Sequence, residues 1–300
     1  MRNCDLRPVL KADFEADLTA HARLELQREW GAEAGAIENS NVLIYFFEAQ
    51  RKRIAARPRR VDLADDFACP SLHQAGWNSL QEKVRKGEDI NPHMSKSHAS
   101  LMNRDGLLNE WSVYHIHLGE GPDRRDPNYI ERTGPVVFAL VTADTFLAIN
   151  VYPHGAWNEA TIIESLHRNW PGVISRYRLN GVAGKQLSAA DRGRIRRAGG
   201  QSAVAVSDGT VYGSIGGPVS STGTKYDSVA HADACSASVR QLQSALANDV
   251  SAVIPALQKA GYVNEEEIEA RLQIVNGRFL VFFLKYDVWV DLDIVPANAL

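Results

Sequence analysis

The spacing of apolar residues changes near residue 110 from three or four to two, and no other feature restricts the fold as much. Before that point Leu10, Phe14, Leu18, Ala22 and Leu26 predict a helix over 8–30. A second is expected over 41–60, led by Val42 to Phe47, capped by Asn39 or Ser40 and interrupted by Pro58. Leu72, Trp77, Leu80 and Val84 predict a third over 71–86, stopped by Gly87. Beyond it, 111–118, 135–142 and 145–152 read as three strands of an antiparallel meander, the last two joined by the short turn Ala143-Asp144. Helical spacing returns over 158–169.

Past Asn180 the chain becomes rich in Gly, Ser and Ala, and the reading places a boundary there. A hairpin over 204–206 and 210–212 turns at Asp208-Gly209. Helices are expected over 227–246 and 251–260, then a second meander over 270–275, 278–284 and 288–295. The expectation is an α+β chain of two domains, 1–180 and 181–300, each with helices packed on a small antiparallel sheet.

Composition excludes some functions. The net charge of −3 rules out a uniformly basic nucleic-acid coat, so RNA contact must come from local patches. No run of about 18 apolar residues stands in the sequence, so no membrane partner is expected. The N-terminal residues carry no secretory apolar stretch. Cys4, Cys69 and Cys235 are far apart and form no CxxC, which fits a reducing cytoplasmic location.

Six of the nine histidines fall between His93 and His167. The period of two places His115 and His117 on one sheet face with Val113, and His154 follows the strand two places later in the meander. Converging imidazoles either hold a metal or supply an acid and a base near neutral pH. The acid–base reading makes His115, His117 and His154 catalytic. It draws phosphate contacts from Arg51, Lys52 and Arg53, and from Arg124, Arg125 and Arg132 in the loop after the His-x-His strand. No cofactor is called for. The metal reading uses the same three histidines with Glu110 or Glu120 nearby, as a metal-dependent hydrolase.

The succession His117, 136–141, tight turn, 146–152, His154 and Trp157 resembles the sheet end of RelE-type messenger-RNA interferase toxins. The likeness covers about 50 residues within 107–157 and rests on element order and residue type. It implies that His154 is the terminal-strand catalytic position and that Trp157 stacks on a base. Those toxins are small and basic, whereas this chain is acidic. The block 107–111 with His115 and His117 also resembles uncharacterised bacterial proteins.

The leading expectation is therefore a nuclease-like protein cleaving RNA, in a toxin or phage-defence setting. The competing one is a non-enzymatic binding or defence-complex subunit with structural histidines. The C-terminal domain is expected to meet a protein partner or small ligand, with 213–224 as contact loop. That loop follows a strand and precedes a helix, as phosphate loops do, but lacks their Gly-Lys-Ser/Thr ending.

Overall fold

The computed structural model describes residues 8–220 and 223–291. Cys4, Ser221, Thr222 and the end of the last expected strand, 292–295, lie outside the described residues. The chain is a mixture of helices and small mixed sheets. Its contacts divide it into two compact units, Gln50–Asp227 and Met1–Ala49 with Ser228–Leu300. Among the described residues no helix is long and apolar enough to cross a membrane.

The discontinuous unit opens with strand β1 (Val9–Lys11), a segment expected to be helical. Helix α1 (Phe14–Trp30) starts only at Asp13, whose carboxylate accepts from the Ala16 N–H at 2.9 Å. It buries Phe14, Leu18, Ala22 and Leu26, spaced four apart as the sequence has them, and adds Trp30. Short α2 (Ala32–Gly35) and α3 (Val42–Arg51) follow. Helix α3 ends well before residue 60.

In the other unit, β2 (Arg60–Leu63) replaces the expected last helical turns. Pro58 cannot continue a helix, and the Arg59 guanidinium is held by the carbonyls of Thr142 and Ala55. Helix α4 (Gln74–Lys86) ends at Gly87, which takes the left-handed conformation that glycine permits. At Gly76 a Cβ would lie 1.9 Å from the Leu118 carbonyl oxygen, so only glycine lets α4 approach the sheet this closely.

Helix α5 (Gly106–Trp111) leads into β3 (Val113–His117), β4 (Pro135–Val141) and β5 (Thr145–Pro153). The meander is antiparallel as expected, with His115 opposite Phe138 and His117 opposite Val136. Strand β2 adds to it in parallel against β5, giving the order β2-β5-β4-β3. The expectation of a purely antiparallel sheet is corrected here.

One sheet face packs Ile116, Val137, Ala139 and Phe146 against Trp77, Leu80 and Val84 of α4. The other face packs Val113, Val136, Phe138 and Ile149 against α6 (Thr161–Asn169), with α7 (Pro171–Ile174) beside it. After α8 (Ala189–Arg197) comes the hairpin β6 (Val204–Ala205) and β7 (Val211–Tyr212), turning at Asp208-Gly209 as expected. Val204, Val206, Tyr212 and Ile215 enter this same core. Residues 181–227 thus pack with the histidine-bearing meander, so the contact clusters do not follow a division at residue 180.

The discontinuous unit closes with α9 (Tyr226–Asn248), from Ser228 onward, then α10 (Ile254–Lys259), β8 (Glu267–Val275), β9 (Arg278–Phe283) and β10 (Val288–Asp291). Its sheet runs β1-β8-β9-β10. The hairpin turns at Asn276-Gly277, where both residues have positive φ. Strand β1 pairs with β8 in parallel, a second departure from the antiparallel expectation.

Candidate active site

Asp105 organises the site. Its side chain caps α5 by accepting from the Leu108 N–H at 3.0 Å, which fixes the carboxylate. The other oxygen, Oδ2, lies 3.0 Å from His98 Nε2 and 3.5 Å from His115 Nδ1. Both histidines are buried, His98 on a short turn over Lys96–Ala99 and His115 in β3. Burial works against a charged Asp105, yet the His98 hydrogen bond and the facing His115 hold its carboxyl down at about 2. Burial pushes the His115 imidazole down to about 4, although Asp105 pulls the other way. At neutral pH the pair is therefore a carboxylate and a neutral imidazole. Nδ1 is buried 3.5 Å from Asp105 and makes no hydrogen bond, which leaves Nε2 as the nitrogen that can serve a ligand.

His115, His154 and Trp157 line one cleft of about 520 Å³, together with Asp105, Arg104, Arg196 and Arg197. The Trp157 ring lies 4.6 Å from the His115 ring and 4.8 Å from the His154 ring, centroid to centroid. Its position is set by a stack on Phe138 at 5.5 Å and 14°. His154 is exposed, and its backbone N–H donates to the Gly134 carbonyl at 2.8 Å, fixing the turn that follows β5.

His117 does not join them. Its Nδ1 accepts from the Thr133 N–H at 3.1 Å, and its ring is 6.0 Å from that of His154 without lining the cleft. Burial, then Arg132, pushes it down to about 3. Its carbonyl accepts from His93 Nδ1 at 2.9 Å, and His93 Nε2 faces the Lys83 ammonium at 3.1 Å. A buried imidazole with an ammonium on its only free nitrogen must be neutral, in line with its fall to about 4, caused first by burial.

The basic residues expected on phosphate are mostly elsewhere. Lys52 is buried, and its Nζ donates to the carbonyls of Ser100 at 3.1 Å and Leu101 at 2.7 Å. Arg51 reaches Asn109 Oδ1 at 3.5 Å, and Arg53 is half-buried. Arg132 donates to the Met94 carbonyl at 2.6 Å, and burial lowers it to about 10. Arg124 and Arg125 are exposed on the loop but do not line the cleft.

The cleft's cations come instead from Arg104 and from α8. Arg192 and Arg196 are four apart and lie over the Trp111 ring at 5.7 and 4.7 Å. Arg196 pairs with buried Glu110 at 2.6 Å and donates to the Trp157 carbonyl and Asn158 Oδ1. Glu110, expected near a metal, is thereby engaged. Among the described residues no three His, Cys, Asp or Glu side chains are grouped to hold a metal ion.

The loop after β7 also has a local task. Ser214 Oγ donates to the Glu110 carbonyl at 2.6 Å and the Gly216 N–H to the same carbonyl at 2.8 Å, tying the loop to the end of α5. Lys225 is buried against it. Searches against protein-family models, curated proteins and solved structures find no match to the chain.

Proposed function

We propose that this protein cleaves RNA by acid–base catalysis in the cleft, with His115 as base and His154 as acid. The observation that carries the reading is that both imidazoles flank Trp157 on one cleft, with the Asp105 carboxylate 3.5 Å from His115 Nδ1. His115 is given the base role because it lines the cleft and, being neutral, has a ring nitrogen free of a proton. It takes the proton of the ribose 2′-hydroxyl as that oxygen attacks phosphorus. The P–O5′ bond breaks, and His154, as the acid, gives a proton to the departing 5′-oxygen. The products are a 2′,3′-cyclic phosphate and a free 5′-hydroxyl. Exposed Arg104 and Arg197 on the cleft wall attract the phosphate and offset its growing charge. Trp157, half-buried on the cleft wall, is the aromatic residue placed to meet a base at its exposed part.

An acid is needed only when the leaving group is poor. His154→Ala is expected to slow cleavage of an RNA oligonucleotide by about 100- to 10,000-fold. The same variant should cleave a uridine 3′-(4-nitrophenyl phosphate) within about threefold of the wild type, because nitrophenolate leaves without a proton. Steady-state assays on both substrates test this. Equal loss on both would remove His154 from the acid role.

A further inference from the structure

Beside the cleft lies a second pocket of about 110 Å³, sharing Arg104, Gly106 and Arg196 with it. Ligand sites generally run to about 300–1,000 Å³, so this one holds a single group of a larger molecule anchored next door. Its one lining carboxylate among the described residues, Glu110, already accepts from Arg196 and from the Ser202 N–H at 2.9 Å. With Glu110 so engaged, exposed Arg104 sets the sign of what enters, and that sign is negative; Asn109, whose Oδ1 already accepts from Arg51 at 3.5 Å, also lines the pocket. Both arginine side chains run close to a glycine. A Cβ on Gly223 would lie 2.3 Å from Arg104 Nη1, and one on Gly106 would lie 2.6 Å from Arg196 Cδ. Gly223 also has φ +77°.

We propose that this pocket is an anion subsite for the phosphate next to the scissile one, so the substrate is a single strand with at least two phosphodiesters. The inference rests on the cleavage reading and adds the length and charge of the substrate. A charge-assisted contact of this kind is expected to raise kcat/KM by about tenfold.

The test compares a dinucleotide with one ribose, rUpdU, with the trinucleotides rUpdUpdU and dUprUpdU. Each has one cleavable bond, and the trinucleotides add a phosphate on one side or the other. At least one trinucleotide should exceed the dinucleotide by about tenfold in the wild type, and Asn109→Asp should bring that ratio to about one. Should the variant fail to fold, about 0.5 M NaCl on the wild type should shrink the ratio in its place. Wild-type ratios near one for both trinucleotides would overturn the subsite and leave the cleavage reading standing. A ratio that neither Asn109→Asp nor salt reduces would also overturn it. No cleavage of any of the three would overturn the cleavage reading and this inference with it.

Discussion

His115→Ala is expected to lose about 100- to 10,000-fold in kcat on an RNA oligonucleotide and as much on the nitrophenyl ester. Both reactions begin with removal of the 2′-hydroxyl proton, and the proposed mechanism gives that task to His115, which lines the cleft. The contrast with His154→Ala, which should spare the ester, separates base from acid. Because His115 is buried, truncation leaves a cavity, so His115→Asn serves as a companion with an N–H for Asp105 and no base. Circular dichroism checks that both variants fold. If folded variants retain activity on either substrate, the base lies elsewhere.

Acid should unfold the protein well above the usual carboxylate range. His93, His115 and His117 stand at about 4, 4 and 3 in the folded chain, against about 6.5 when unfolded. Above pH about 6.5 all are neutral in both states, and their contribution does not change. As pH falls below that value the unfolded chain takes up protons first, so stability declines, and the decline ends only near the folded values. Each group then contributes a loss on the order of 3 kcal/mol, and the three together approach the 5–15 kcal/mol typical of a whole protein. Asp105, held at about 2, acts in the same direction but at lower pH. The Tm should fall by at least about 15 °C between pH 7.5 and 4.5. His93→Asn keeps a donor for the His117 carbonyl and has no proton to gain, so it should remove about a third of that loss. An unchanged Tm across this range would mean that the three imidazoles titrate normally.

How much of this was legible in the sequence depended on how local the signal is. The meander and the shared face of His115 and His117 follow from alternation, which the backbone of a strand enforces directly. Strands β1 and β2 were not legible. Each is short and gains its hydrogen bonds in parallel from a distant strand, β8 and β5, so nothing nearby marks it. Asp105 stands before Gly106-Leu107-Leu108 as an N-cap would, a signal that finds the helix but not the two histidines gathered on the carboxylate. Lys52 and Arg196 have the charge of phosphate ligands in sequence. Only the tertiary structure shows Lys52 bound to carbonyls and Arg196 bound to Glu110.

The most direct test of the central claim is the chemistry of the ends produced when wild-type protein is incubated with an RNA oligonucleotide, read by mass spectrometry. The expected products are a 2′,3′-cyclic phosphate on one fragment and a 5′-hydroxyl on the other, unchanged by a metal chelator. Fragments ending in a 3′-hydroxyl and a 5′-phosphate, or RNA left intact, would contradict it.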